Sequence, residues 1–264
     1  MDISFVLLTW NSERYIEKCL DSLFAGLCNE NFSYEIFIAD NGSKDTTVSM
    51  IQSYQNQHKD RIRPIFLEKN TGTTYPRNLA LKQARGRYIV IMDSDVEIHQ
   101  GTITGLIKNL EMNEHIGLAA PKLFYPNGNL QKSTDNFPTV FTKIFRYFFL
   151  KFMEKHENKT VQRKELCEVD YAISAVWVMK REVLETVGLL DENIFYSPED
   201  VDYSLRLRKA GYKIVYNPMV SAIHHTQEIS RGFKINRATF SHIKGLFYYF
   251  KKHRYFFRKP VFNH

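Results

Sequence analysis

Cysteine and long apolar runs are both scarce in this chain. Its 264 residues include three cysteines, none in a C-x-x-C pair, and an odd number cannot all pair in disulfides within one chain. This composition favours a reducing compartment, so we expect a cytoplasmic protein. No apolar run approaches the roughly 20 residues that a membrane-spanning helix needs. The apolar segment Ser4–Leu8 has no basic residues before it, and we predict a strand there and not a signal peptide.

Acidic residues are missing from the end of the chain. Residues 231–264 contain nine Lys or Arg, ten Phe or Tyr and no Asp or Glu, which leaves 27 basic and 29 acidic residues in 1–230. A helical face of Phe240, Ile243, Phe247 and Phe250, with lysines beside it, suits the anionic inner face of a membrane. A helix that packs on the domain and turns its basic side to water is an equally good interpretation. The sequence contains no recognisable nucleic-acid-binding module, so nucleic acid is not an expected partner.

Short apolar segments alternate with helical patterns through the first half of the chain. Strands separated by single helices are typical of a parallel sheet. We therefore predict one three-layer α/β/α domain with a mostly parallel central sheet over residues 1–230, followed by a basic, amphipathic helical tail over 231–264. The predicted strands are Ser4–Leu8, Tyr34–Ala39, Pro64–Leu67, Tyr88–Met92 and, later in the chain, Gly117–Pro121, Glu168–Met179 and Lys213–Tyr216.

Hydrogen-bonding residues and a glycine follow the ends of the first four strands. In parallel α/β sheets, ligands bind outside the carboxyl ends of the strands, so these residues should converge on one site. They are Thr9, Asn11, Asp40, Asn41, Gly72, Asp93, Ser94 and Asp95.

Asp93 and Asp95 form a D-x-D pair at the end of the fourth strand. Alternate residues of a strand project to the same side, so the two Cα atoms should lie roughly 6–7 Å apart. Carboxylates and phosphate oxygens are preferred ligands of Mg²⁺ and Mn²⁺, which indicates a metal that holds a phosphorylated ligand. The alternative is a solvated turn, since Asp and Ser are common turn residues.

Asp40 ends the second strand, directly before Asn41-Gly42-Ser43. A carboxylate here can accept the N3–H of uracil or thymine, which cytosine lacks. The alternative is an Asx-turn that leads into the next helix. Both interpretations hold together if Ser43 or Asp45 caps that helix and leaves Asp40 for the ligand.

Pro76 is predicted to be the first residue of a helix, with Arg77 next to it. A helix N-terminus with an added positive charge suits a diphosphate. An ordinary connection from loop to helix explains the same residues.

The segment Ser197-Pro198-Glu199-Asp200 has the pattern of a helix start, with a capping serine, proline at the first position and acids in the first turn. Asp202 and Arg206 are spaced to form an i,i+4 ion pair. An ionised carboxylate at this place could also act as a general base. His224 follows an apolar strand and can ligate a metal, although single histidines at strand ends are usually structural.

Taken in order, these motifs resemble those of the inverting family 2 glycosyltransferases of the GT-A fold, especially bacterial rhamnosyltransferase-like members. The resemblance covers about residues 3–230. It is carried by TWNSERYIEKCLDSL, ADNGSKDTT, NTG…RN…ARGRYIVIMDSD, VGLLDENIFYSPEDVDYSLRLRKAGY and YNPMVSAIHH.

The resemblance implies transfer of a sugar, with inversion, from a UDP- or dTDP-sugar to a hydroxyl of a glycan acceptor, which we expect to be lipid-linked. It implies that Asp200 is the catalytic base, with Glu199 as the alternative. The metal ligands for Mn²⁺ or Mg²⁺ would be Asp95, Asp93 and His224. The residues expected to bind the nucleotide-sugar are Thr9, Asn11, Asp40, Asn41, Gly72, Arg77, Asp93 and Ser94.

The sequence departs from the family pattern at two places. Tyr75 stands in a loop that usually carries small residues, where it could narrow the donor pocket. Trp177 stands where smaller residues are common on the acceptor side. Its ring could stack on an acceptor sugar, or it could fill the core.

Two other functions use similar residues. A nucleotidyltransferase acting on a sugar phosphate also needs strand-end carboxylates and a metal, but no G-x-x-x-x-G-K triphosphate loop is present. A non-catalytic glycan-binding module could keep the fold, but it would not depend on Asp95 or Asp200.

Overall fold

Four parallel strands joined by helices form the first half of the chain. In the computed structural model, which describes residues 1–142, 164–226 and 237–262, they are β1 Ile3–Thr9, β2 Tyr34–Asp40, β3 Ile62–Phe66 and β4 Tyr88–Asp93. The connecting helices are α1 Ile16–Leu27, α2 Thr47–Gln57 and α3 Thr74–Leu81. The four predicted strands are confirmed to within two residues at each end.

The second half extends the same sheet beyond β4. Its elements are β5 Val96–Ile98, α4 Thr102–Met112, β6 Ile116–Phe124, β7 Leu130–Gln131, β8 Thr134–Asp135, β9 Cys167–Val169, β10 Tyr171–Ala172, β11 Val176–Lys180, α5 Arg181–Val187, α6 Glu199–Lys209, β12 Lys213–His224 and α7 Arg237–His253. The strand order is β3-β2-β1-β4-β11-β6-β12-β5, in which β11 is antiparallel to both neighbours and β6 is parallel to β12.

The single strand predicted over Glu168–Met179 is wrong. This segment forms three short strands, because each part pairs with a different partner. β9 pairs with β12, β10 pairs with β8 in a separate two-stranded sheet, and β11 joins β4 and β6. The chain therefore leaves the large sheet at β10 and returns to it at β11.

Two apolar layers cover the two faces of the sheet. On one face, α1, α2 and α4 contribute Leu20, Ile51 and Leu106 to a buried cluster with alternate residues of the strands. On the other face, α3 and α5 contribute side chains such as Leu81 and Val183, and α6 contributes Tyr203 and Leu207. This arrangement confirms the three-layer α/β/α fold with a mostly parallel central sheet.

The helix α7 lies against α6. Tyr249 and Phe250 are buried together with Val201, Leu205 and Phe137 in a third apolar cluster. One face of the tail helix therefore packs on the domain. Ile243 and Phe247 were predicted to lie on the same face as Phe250, but they are exposed. Within the described ranges, no helix combines the length and the apolar content required to cross a bilayer. The side chain of Phe240 and most of the aromatic stretch 141–152 lie outside the described residues.

Candidate active site

The carboxyl ends of three neighbouring strands meet at one edge of the sheet. In the strand register, Thr9 is opposite Asp40, and Leu8 is opposite Asp93. Backbone hydrogen bonds continue this alignment beyond the strands, since Asn41 N–H donates to the carbonyl of Thr9 and Ser94 N–H donates to that of Leu8. The predicted convergence of strand-end residues is therefore present.

Asp93, Asp95 and His224 form a cluster that suits a divalent metal. One oxygen or nitrogen atom from each lies within 4.8 Å of the other two. β12 runs antiparallel to β5, and in this pairing His224 lies opposite Val96. His224 is thereby brought next to Asp95. Gln131 Oε1 lies 3.0 Å from His224 Nδ1, and Nε2 lies 3.4 Å from Asp95 Oδ1. Two carboxylates and an oriented imidazole are ligand types that bind Mn²⁺ and, for the carboxylates, Mg²⁺.

The pKa values of this cluster reflect two carboxylates that lie close together. Burial and the neighbouring charge of Asp95 raise the pKa of Asp93, although the Arg77 guanidinium opposes this rise. Burial alone would lower the pKa of His224, but its hydrogen bond to Asp95 and the charges of both aspartates raise it. A bound cation would relieve the repulsion between the two carboxylates.

Arg77 has a different place from the one predicted. Its side chain is only 1% exposed, so it does not line an open path for a diphosphate. Nη2 lies 2.5 Å from Asp93 Oδ1, and Nη1 lies 3.3 Å from both Glu199 Oε1 and Ser174 Oγ. Arg77 thereby connects the D-x-D pair to the acidic start of α6.

Two helices begin at other residues than predicted. α6 begins at Glu199, after a cis Ser197–Pro198 peptide bond, and no side chain caps it. α3 begins at Thr74, so Pro76 is its third residue, where the missing N–H costs nothing because first-turn N–H groups have no partner within the helix.

Glu199 and Asp200 differ sharply in their surroundings. Glu199 is buried against Arg77 and Ser174, and burial together with the charge of Asp200 raises its pKa to about 8. Asp200 is half-buried, and its Oδ1 accepts the N–H of Val201 at 2.8 Å. Asp200 is therefore the acid of the pair that an incoming molecule can reach.

The carboxylate of Asp40 bonds to Ser43, three residues on, so the Asx-turn interpretation of Asp40 is wrong, because that turn requires a bond to the residue two positions on. The same carboxylate accepts the backbone N–H of Ser43 at 3.0 Å and the Ser43 hydroxyl at 2.5 Å. Asp45 in turn accepts the N–H of Thr47 in the first turn of α2. The Asx-turn that leads into α2 is thus made by Asp45, while Ser43 holds the carboxylate of Asp40 at the strand end.

Thr9 and Ser94 are both buried. The Oγ1 atom of Thr9 has no hydrogen-bond partner among the described residues. Ser94 Oγ is 2.8 Å from Ser12 Oγ, which ties the end of β4 to the start of the α1 connection.

Asn41 and Gly72 hold the loop before α3. Asn41 donates from Nδ2 to the carbonyl of Gly72 at 2.7 Å and accepts the N–H of Thr71 at 2.8 Å. Gly72 has a φ of 92°, and a Cβ there would overlap the carbonyl oxygen of Phe195. The loop before α3 therefore packs directly on the segment that leads into α6.

Asn11 lies at an open cleft beside the strand ends. The cleft has a volume of about 720 Å³. Asn11 adopts a φ of 50°, and its Oδ1 accepts the N–H of Lys44. The lining residues are Asn11, Glu13, Arg14, Tyr15, Lys44 and Asp45.

Trp177 is a core residue, and the interpretation in which it stacks on an acceptor sugar is wrong. It is 0% exposed, its ring stacks on Tyr203, and its indole N–H donates to the carbonyl of Ala172 at 3.1 Å. No face of the ring remains for a ligand. Packing against α6, which the sequence does not reveal, decides between the two interpretations.

Sequence reasoning did not identify three residues of the site. Gln131 orients His224, and Ser174 contacts both Arg77 and Glu199. Burial, and then the nearby charges of Glu199, Asp93 and Asp95, raise the pKa of the Tyr196 phenol. Only Tyr196 carried a signal, namely its position three residues before the Glu-Asp pair.

Residues 4–188 match the family model described as "Glycosyl transferase family 2". The chain belongs to glycosyl transferase family 2. Among curated relatives, it is 27% identical over 235 residues to an N-acetylglucosaminyl-diphospho-decaprenol L-rhamnosyltransferase of Mycobacterium tuberculosis. That match covers 83% of this chain and 75% of the relative, in agreement with the rhamnosyltransferase-like resemblance of the motifs.

Solved structures of other glycosyltransferases share the fold of this family 2 member. A TM-score of 0.65 at 19% identity relates it to a mannosyltransferase of Pyrobaculum calidifontis, solved with GDP-Man and Mn²⁺, over 98% of this chain and 65% of that one. For Staphylococcus aureus TarS 1–349 in complex with UDP, the TM-score is 0.57 at 22% identity, over 84% and 60% of the two chains. This chain thus spans less than two thirds of either solved chain, and the shared fold is the GT-A fold.

Proposed function

We propose that the protein is a metal-dependent, inverting glycosyltransferase that acts in cell-surface polysaccharide synthesis. It transfers a sugar from a UDP- or dTDP-sugar to a hydroxyl of a lipid-linked glycan. The observation that carries this proposal is the connection through Arg77. It holds the candidate metal ligand Asp93 and the acidic start of α6 within one site, as a displacement reaction requires.

The metal ligands in this proposal are Asp93, Asp95 and His224. A bound Mn²⁺ or Mg²⁺ would supply positive charge to the diphosphate leaving group. The protein's own part is to orient two of these side chains, Asp93 through Arg77 and His224 through Gln131.

Asp200 is the proposed general base. It accepts the proton of the acceptor hydroxyl while the hydroxyl oxygen bonds to the anomeric carbon and the bond to the diphosphate breaks. Attack from the side opposite the leaving group inverts the anomeric configuration. Glu199 suits this role less well, because a pKa of about 8 keeps it protonated at neutral pH and its carboxyl is buried.

The donor proposal rests on the strand-end residues. Asp40 would accept the N3–H of uracil or thymine, with Thr9 and Asn11 beside it and Asn41, Gly72 and Ser94 shaping the surrounding loops. In support, the TarS structure was solved with UDP. The GDP-Man of the mannosyltransferase structure shows that the fold also accepts guanine nucleotides, so the choice of base needs a direct test.

The proposed acceptor and location follow from the acceptor of a relative. The mycobacterial relative is named for a diphospho-decaprenol acceptor, which is a membrane lipid. A lipid-linked acceptor would be available to this enzyme at the inner face of the plasma membrane, where we place it as a peripheral protein.

A matched pair of substitutions tests the proposed reaction. Release of nucleoside diphosphate from a panel of UDP- and dTDP-sugars is measured with an undecaprenyl-diphosphate sugar as acceptor. We expect Asp200→Asn to lower kcat by about 10²–10⁴-fold without loss of UDP binding, whereas Glu199→Gln, which mimics the protonated carboxyl, stays within about ten-fold. Release of pyrophosphate from a nucleoside triphosphate would instead establish a nucleotidyltransferase, and full activity of Asp200→Asn would exclude this residue as the base.

A further inference from the structure

Large apolar side chains are exposed at the C-terminal end of the structure in unusual number. Of thirteen such side chains exposed in the described part of the chain, six lie here. On α7, Ile243 and Phe247 point outward, and Phe247 is 77% exposed. The others are Phe141, Phe256, Phe257 and Val261. We call these six residues the C-terminal apolar surface.

Part of this surface is a packed aromatic group. The rings of Phe141 and Phe257 lie 5.2 Å apart, and those of Phe256 and Phe257 lie 6.3 Å apart. The backbone holds the group in place, because Val140 N–H donates to the carbonyl of Phe256 at 2.8 Å. This hydrogen bond fixes the backbone from which these exposed rings project.

Exposed basic residues are interspersed along the chain with the apolar residues of this surface. Five exposed bases lie between residues 244 and 259, and the sequence has no acid after residue 230. None of these five forms an ion pair with a carboxylate in the described residues. They are Lys244, Lys251, Arg254, Arg258 and Lys259.

The opposite face of α7 is fixed to the catalytic part of the molecule. Lys252 Nζ lies 2.6 Å from both Asp191 and Asp202. A Cβ at Gly245 would overlap the carbonyl oxygen of Ser197, so the helix backbone touches the segment directly before Glu199. The outward face of α7 therefore has a defined orientation relative to α6.

We propose that the C-terminal apolar surface and its five bases dock on an anionic lipid bilayer. Exposed aromatic rings enter the boundary between headgroups and acyl chains, and the interspersed bases pair with anionic headgroups. The absence of acids favours this occupant over a second copy of the chain, since two copies would bring like charges together. Docking would give the enzyme access to a lipid-linked acceptor, and this role rests on the proposed function.

Vesicle co-sedimentation with the full chain tests this inference. The probes are vesicles of phosphatidylcholine alone and of equal parts phosphatidylcholine and phosphatidylglycerol. We expect binding to the mixed vesicles only, about ten-fold weaker for Phe247→Ser/Phe257→Ser and similarly weaker for Lys251→Gln/Arg254→Gln. The control variant, Met112→Ser/Met219→Ser, removes two equally exposed apolar side chains from other surfaces and should bind as wild type. Thermal midpoints of all variants establish that each is folded.

Three outcomes would overturn the inference: no binding to mixed vesicles, equal binding by the Phe247→Ser/Phe257→Ser variant, or a dimer that this variant abolishes. Binding does not require transferase activity, so the two proposals fail separately. A protein that binds mixed vesicles through this surface but releases no nucleoside diphosphate supports the docking surface and contradicts the proposed reaction.

Discussion

Arg77 is the residue that joins the two acidic parts of the site. Its guanidinium is buried between Asp93 on β4 and Glu199 on α6, two residues 106 positions apart in the chain. Burying a guanidinium is costly unless its charge is paired, and here two carboxyl groups and a serine hydroxyl surround it. Arg77 thereby fixes the distance between the candidate metal site and the candidate base.

Substitution of Arg77 should impair both stability and catalysis. Arg77→Met leaves the buried Glu199 and the half-buried Asp93 without their partner, so we expect a loss of about 3–5 kcal/mol of unfolding free energy. Arg77→Lys keeps the charge but cannot reach both carboxyl groups. We therefore expect Arg77→Lys to lose less unfolding free energy than Arg77→Met, but to lower kcat clearly. Urea unfolding and nucleoside diphosphate release measure the two effects. The exposed Arg85→Met serves as control, and an Arg77→Lys protein with wild-type kcat would show that the connection is not needed.

Some candidate site residues were predictable from their position along a strand, and others only from the family resemblance. Asp93 and Asp95 follow from the end of β4, because the carboxyl ends of parallel strands meet at one edge of a sheet, whereas only the family resemblance indicated a metal role for His224. The contacts of Arg77 and the burial of Trp177 depend on how α3 and α6 pack on the sheet. No sequence pattern carries that information.

Helix α7 is held to the rest of the molecule by charge as well as by apolar contacts. Burial alone would raise the pKa of Asp202, but the hydrogen bond with His253 and the charges of Arg206 and Lys252 outweigh burial and lower it. Asp191 has a lowered pKa as well: burial again opposes the shift, and the hydrogen bond from Lys252 is the largest of the contacts that overcome it. The predicted Asp202–Arg206 pair is confirmed at 2.9 Å, and it is one part of this larger network.

The network makes part of the stability dependent on pH. A carboxyl group whose pKa is lower in the folded state stabilises the fold above its unfolded pKa of about 3.9, and this contribution is lost as the pH falls through the folded value. Wild type should therefore exceed Asp202→Asn by about 3 kcal/mol at pH 7, and the difference should shrink below about pH 4. Denaturant unfolding at several pH values measures it, with the exposed Asp60→Asn as control. A difference that stays constant with pH would contradict this assignment.

Elements were predictable where apolar periodicity alone determines them. The four parallel strands match within two residues because their apolar runs are buried on both faces of the sheet. The segment 168–179 has an equally apolar pattern, but its division into β9, β10 and β11 comes from pairing with distant strands. The sequence likewise does not reveal that Ser197 and Pro198, directly before α6, pack against Gly245 of α7.

In the whole molecule, the edge of the sheet where the parallel strands end carries the candidate metal ligands, and α6 carries the candidate base. Helix α7 connects that same α6 to an exposed apolar and basic surface. The sequence indicated the candidate site through its motifs and the exposed surface through a tail that lacks acidic residues. Their physical connection through Asp202, Lys252 and Gly245 emerges only from the packed structure.

The measurement that tests the central claim most directly is thermal unfolding with nucleotides. Midpoints are recorded with UDP, dTDP, GDP and ADP, each with and without Mn²⁺, for wild type and Asp95→Ala. A ligand that binds only the folded protein raises the midpoint, by an amount set by its concentration relative to Kd. We predict that UDP or dTDP raises the midpoint of wild type only when Mn²⁺ is present, and that Asp95→Ala loses this shift. A shift that is the same in Asp95→Ala, or no shift with any nucleotide, would contradict a metal-dependent nucleotide-sugar site at Asp93, Asp95 and His224.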